Sequence, residues 1–268
     1  MATEIIAGGV GELRAASTAA GGTALTTTAG YIQLPKGTYH IYLTPRNFAT
    51  AVVAKVAINP WLVILETNDA MATAPTDWSE SAQDADAATD IDVSSFGTLA
   101  NGDFLLIGSH LPFRGVYIDV DSTNSAGTAS TSVYYWNGSA WADTTETDGT
   151  FSTMTFAQDG LVYWTVPTDW RATTLKTLYT STPTSVYTGL NYYWTRWEVS
   201  AALTDASVTF NSMVAANRSI TYAELLSGQC FEERVGRGLG GAGCVEALTD
   251  AGTANLIVNI ATVRDGRF

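Results

Sequence analysis

Apolar and polar residues alternate with a period of two over most of this chain, the pattern of half-buried strands. Tyr31–Leu34 (YIQL) and Thr38–Leu43 (TYHIYL) alternate in this way. The intervening Pro35-Lys36-Gly37 is a turn signal, so the two are expected to form a hairpin. Ala51–Ile58 (AVVAKVAI) and Trp61–Thr67 (WLVILET) read as a buried strand pair around Asn59-Pro60. From Val93 onward short strands recur at Asp103–Gly108, Gly115–Val120, Ser132–Trp136, Ala140–Asp143, Gly160–Val166, Tyr193–Ser200 and Ala206–Phe210. Turns such as NGD, NSAG, NGS and QDG separate them, which predicts a β-sandwich or jelly roll. Tyr134–Trp141 (YYWNGSAW) is the clearest hairpin, because Asn-Gly at the bend tolerates positive φ and the flanking aromatics pair across the strands. Near the C-terminus, Thr221–Leu226 predicts one or two helical turns, with Thr221 as N-cap and Glu224 three residues on. Asn255–Val263 (NLIVNIATV) predicts a terminal strand that joins a sheet.

Three segments lack this pattern. Residues 1–30 are Ala, Thr and Gly with few large apolar groups, and are expected as an arm or loose lead-in. Residues 68–92 are small and acidic, and read as a surface loop or connection. Gly236–Gly243 (GRGLGGAG) reads as a flexible docking loop, since it lacks the Gly-Lys-Ser/Thr ending of a phosphate loop. The expected fold class is therefore all-β: a jelly-roll β-sandwich over 93–215, an N-terminal arm and β region over 1–92, and a C-terminal docking segment over 216–268. Leu256, Ile257, Val258 and Ile260 are the expected docking side chains.

Composition narrows the class. Hydrophobic residues make up 46% of the 268 and charged residues only 15%, so much of the surface is expected to lie against partners. The formal net charge of -13 disfavours direct binding to a phosphate backbone. No basic region precedes an apolar run at the start, and no stretch reaches the length of a membrane span, so a product that is cytosolic, or that leaves the cell by assembly and lysis, and no membrane partner are expected. Cys230 and Cys244 are too few for a disulfide framework; either they close the glycine-rich loop or both are free.

Catalytic chemistry is sparsely represented. The two histidines, His40 and His110, have no second ligand at metal-binding spacing, and Ser109-His110 lies outside any G-x-S-x-G turn. Asp84, Asp86, Asp90 and Asp92 alternate, but their spacing is wrong for an EF-hand, so a solvated linker is expected and no cofactor is assigned; calcium is the one ion this segment suggests. Asp119 with Asp121, and Asp143 with Asp148, are carboxylate pairs, and carboxylates alone carry little specificity. No enzyme is expected. The aromatics are richer. Tyr134, Tyr135 and Trp136 are consecutive, so both faces of their strand carry a ring. Tyr135, Trp136 and Trp170 are the candidate interface or glycan-stacking residues.

The runs GDFLLIGSHLPFRGVYIDV, SVYYWNGSAWADTTETDGT, FAQDGLVYWTVPTDWRATTL and YYWTRWEVSAAL, over about residues 100–203, resemble the galactose-binding-like, discoidin-type jelly roll of phage and bacterial accessory domains. Trp141, Asp148, Thr150, Trp164, Pro167, Trp170, Trp194 and Trp197 occupy the matching places. The wider texture, low in Lys and rich in Thr, Ala and Gly, resembles virion proteins of tailed phages. That resemblance implies a structural component of the virion, foremost a capsid decoration protein bound to the major capsid protein or other virion subunits as a homo-oligomer, with a trimer preferred. A glycan-binding module of a head fibre or tail, and a tail or baseplate subunit, are the alternatives.

Overall fold

The computed structural model describes residues 3–6, 9–15, 22–50, 53–67, 69–84, 86, 88–93, 96, 98, 102–125, 127–179, 187–203, 208–216, 222–234 and 241–263. The chain is all-β. Its first six strands are β1 (Thr3–Ile6), β2 (Gly9–Ala15), β3 (Thr23–Leu25), β4 (Gly30–Gln33), β5 (Thr38–Ala49) and β6 (Ala54–Pro60). Then come β7 (Val63–Glu66), β8 (Thr76–Asp77), β9 (Ile91–Asp92), β10 (Leu105–Ser109), β11 (Gly115–Ser122), β12 (Thr131–Trp136) and β13 (Trp141–Asp143). They are followed by β14 (Thr147–Asp148), β15 (Gly160–Tyr163), the one-turn helix α1 (Leu175–Leu178), β16 (Tyr193–Val199) and β17 (Thr209–Ala215). The last four strands are β18 (Ala223–Leu225), β19 (Phe231–Arg234), β20 (Ala242–Thr249) and β21 (Thr253–Val263).

The chain divides into two units, one made of Met1–Trp61 with Ser219–Phe268, the other of Leu62–Arg218. The first is a sandwich. One sheet runs β1-β2-β21-β5-β19, with β3 also on β21, and the other runs β18-β6-β20-β4. Alternation along β5 and β21 sends Ile41, Leu43, Leu256, Val258 and Ile260 inward, where they meet Ala54, Val56, Val245 and Ala247 of the second sheet. The second unit is also a sandwich, with sheets β13-β12-β16-β10-β7-β8 and β14-β15-β11-β17-β9. Its core joins Ile64, Leu105, Ile107, Val133 and Trp197 to Val116, Ile118, Val162, Phe210 and Met213.

Several expectations change. The PKG link does not close a hairpin: β4 pairs with β20 and β5 with β21, so the turn carries the chain from one sheet to the other. The strands around Asn59-Pro60 do not pair, since β6 lies beside β20 and β18 in the first unit while β7 lies beside β10 and β8 in the second. The boundary falls after Trp61 rather than at 92. Residues 69–84 belong to the second unit, where the buried Gln83 side chain donates to Leu62 O (2.8 Å) and accepts from Leu62 N–H (2.9 Å), taking the place of a strand partner. Residues 3–6 and 9–15 are a hairpin laid along β21, not a loose lead-in. Ala223–Leu225 is an edge strand on β6 rather than a helical turn, and Thr221 lies outside the described residues. The C-terminal strand is a central strand: Leu256, Val258 and Ile260 are fully buried in the core, so they cannot serve as docking side chains, and only Ile257 points to the other face, half-buried. Of the glycine-rich loop, Gly236–Gly240 lie outside the described residues.

Candidate functional site

The 131–143 hairpin is as its sequence predicts. Tyr134 faces Asp143, Tyr135 faces Ala142 and Trp136 faces Trp141. Gly138 takes φ +102°, which is open to glycine and strained for other residues. The Trp136 and Trp141 rings meet edge to face, with centroids 5.6 Å apart, and both remain half-exposed. Val133 and Tyr135 turn toward the core, so Tyr134 and Trp136 occupy the outer face.

The structure separates the three predicted aromatic candidates. Trp136 lies on the outer face. Tyr135 packs on the core, and its hydroxyl donates to Asp169 at 2.9 Å; that bond raises the phenol above its ordinary value. Trp170 is only 4% exposed, with its Nε1–H donating to Trp194 O, so it is not available for stacking on a ligand. Its ring belongs to a buried cluster with Phe113, Trp164 and Tyr193, which explains the Trp-x-x-Pro-x-Asp-Trp spacing as packing. Trp141, which the hairpin reading paired across the strands but which is not among the interface or glycan candidates, shares the outer face with Trp136.

The segment after Trp170 covers the outer face of the same sheet. Trp194 Nε1–H donates to Thr173 O (3.0 Å), Tyr192 packs on Trp194, and Tyr179 stacks on Phe104. Arg196 lies 4.1 Å over the Phe104 ring and pairs with Glu198. Burial raises the Tyr179 phenol above its ordinary value. Gly108 allows this close packing, because a Cβ there would sit 2.5 Å from the Trp194 ring.

Carboxylates gather on the outer face of the other sheet. Asp119 and Asp121 share one side of β11, where the ladder to β17 shifts register twice. Asn211 donates to Asp119 and Thr209 to Asp121. Asp90 Oδ1 is shielded and has no donor among the described residues. Burial, and then the Asp121 charge, raise its carboxyl above the usual carboxylate value. The native state therefore holds this proton more tightly than the unfolded chain. Its contribution to stability is complete below the ordinary carboxylate value and is lost as pH rises through the raised one. Asp90→Asn is accordingly expected to melt higher than the parent at neutral pH, with the gap closing on acidification; a gap independent of pH would contradict this.

Of the other predicted acids, Asp92 lies in β9, while Asp84, Asp86, Asp143 and Asp148 serve turns. Asp84 accepts from Asp86 N–H and Thr89 Oγ1, and Asp148 accepts from Thr150 and Thr155. Among the described residues no three His, Cys, Asp or Glu side chains converge in a manner that could hold a metal. His40 Nε2 lies 2.7 Å from Glu232, and Tyr42 OH lies 3.2 Å from its Nδ1, on the outer side of β5 and β19. Cys230 is exposed and Cys244 buried, and both are free thiols. Burial raises the Cys244 thiol above its ordinary value. Asn59 and Tyr222 donate to the buried Glu246, satisfying a carboxylate that would otherwise be costly to enclose. No helix among the described residues is long and apolar enough to cross a membrane. No protein-family model matches this chain, and no curated protein matches its sequence.

Proposed function

We propose that this chain is a structural subunit of a tailed-phage particle, a capsid decoration protein that holds and covers other subunits through protein–protein contacts. The observation that carries this reading is the insertion topology: both terminal regions build one sandwich, and Leu62–Arg218, inserted between them in the sequence, forms a second. Such a chain has one body built from both terminal regions and a second body with its own core, a division of labour that suits attachment plus covering. The low charge of 15% supports extensive contact with neighbours. In this reading the partners are the major capsid protein and further copies of the chain, with a trimer as the preferred assembly. No residue is given a catalytic role.

A second reading, a glycan-binding module of a head fibre or tail, is favoured by the half-exposed Trp136–Trp141 pair on the outer face of its hairpin. Cryo-electron microscopy of particles carrying this gene product separates the two. Density for two sandwiches, repeated over the whole shell, is the expected result. Density confined to the tail would move the protein to a tail or host-recognition role, and no density on the particle would remove the structural reading.

A further inference from the structure

Asn137 and Gly138 open the loop between β12 and β13, one of two Asn-Gly pairs in the chain. The Asn137 side-chain oxygen Oδ1 accepts three hydrogen bonds: from Ser139 N–H at 2.9 Å, from Ser139 Oγ at 3.0 Å and from Ala140 N–H at 2.9 Å. Asn137 N–H donates to Ala140 O at 3.1 Å, which closes the loop. The Gly138 N–H has no acceptor among the described residues. Gly138, Ser139 and Ala140 are all exposed to water.

We propose that Asn137 is a deamidation site whose reaction the fold promotes. In this reaction the Gly138 amide nitrogen gives its proton to hydroxide and bonds to Asn137 Cγ. The Cγ–Nδ2 bond then breaks and ammonia leaves with a proton from water, giving a cyclic imide. Water opens the imide at either carbonyl, to aspartate or to isoaspartate. The net change is amide plus water to carboxylic acid plus ammonia, with no oxidation or reduction.

Three features assist the first step. An Asn whose Oδ1 bonds to the N–H two residues ahead is turned back along its own chain, which holds Cγ beside the intervening amide. Glycine has no Cβ to shield that nitrogen, and its N–H need not break a hydrogen bond to react. Negative charge develops on Oδ1 as Cγ becomes tetrahedral, and three donors already point at that oxygen, so they stabilise the charge without reorganising. The product places a carboxylate beside the Trp136–Trp141 pair, and isoaspartate adds a methylene to the main chain between them. The inference stands apart from the particle role and holds whether or not that role does.

Peptide mass spectrometry with an isoaspartate readout tests it. The purified full chain is incubated at mildly alkaline pH, folded in buffer and unfolded in urea. Ser139→Ala is the informative variant, because Ser139 is exposed, whereas a Cβ at Gly138 would be strained and 3.1 Å from Arg171 Cγ. Conversion at 137 is expected to be at least as fast in the folded chain as in the unfolded one. Ser139→Ala is expected to slow the folded chain roughly three- to tenfold, less than the loss of a buried oxyanion donor, and to leave the unfolded chain unchanged. A folded chain slower than the unfolded one, no effect of Ser139→Ala, or equal slowing in both states would each overturn the proposal.

Discussion

A chain ending at Asp250 is expected to lose the first sandwich while keeping the second. The truncation removes β21, which lies between β2 and β5 and also pairs with β3. Leu256, Val258 and Ile260 leave the core with it. Burial of three such side chains is worth roughly 5–9 kcal/mol by area transfer. A whole domain is typically stable by about 5–15 kcal/mol, so little or nothing remains. The Leu62–Arg218 unit has its own core and takes no strand from the deleted segment. Hydrogen exchange then gives a divided pattern: fast exchange in β5, β6 and β20, and continued protection in β10, β11 and β16. Protection of β5 and β6 in the truncated chain would contradict the central position of β21. The same variant bears on the proposed function, because a particle protein anchored through its first sandwich should no longer bind the particle.

Trp197→Ala is expected to cost the second sandwich about 3–5 kcal/mol, the usual range for truncating a fully buried indole. Trp197 is 1% exposed, lies edge to face with Trp164 at 6.1 Å, and pairs across the sheet with Leu105 and Val133. Its Nε1–H donates to Thr195 Oγ1, which in turn donates to Ile107 O, so the ring fixes a polar contact as well as a packing contact. Removing it leaves a cavity where both sheets meet, and the Thr195 hydroxyl loses its donor. The midpoint of urea denaturation, read from tryptophan fluorescence, gives the loss. A shift below about 1 kcal/mol would mean that the neighbouring aromatics collapse into the space.

Much of the second sandwich was legible because its strands have one face buried and one face exposed. Val133 and Tyr135 against Tyr134 and Trp136, or Val116, Ile118 and Val120 against Tyr117, Asp119 and Asp121, show the period of two directly. The hairpin at Asn137-Gly138 was equally clear, since a local turn with glycine needs no distant residue to define it. The acidic stretch before Val93 misled for a physical reason: its polar residues are structural. Gln83 bonds to the main chain of Leu62 and Ser79 to that of Ile64 in β7, and such partners cannot be read from the polarity of the segment.

The sequence by itself determined the strand content, the alternation that places core side chains, the aromatic hairpin and the low charge. These follow from local rules of backbone geometry and residue type. Tertiary structure alone decided which strands became neighbours. The PKG turn was compatible with a hairpin or with a crossing between sheets, and only the positions of β20 and β21, some two hundred residues further on, selected the crossing. The apolar run at Leu256–Ile260 fits a docking surface as well as a core strand until β2 and β5 flank it and the opposite sheet covers it. Burial depends on what the rest of the chain brings to a side chain, so residues such as Trp170 and Val258 gained their roles from packing rather than from their own sequence pattern.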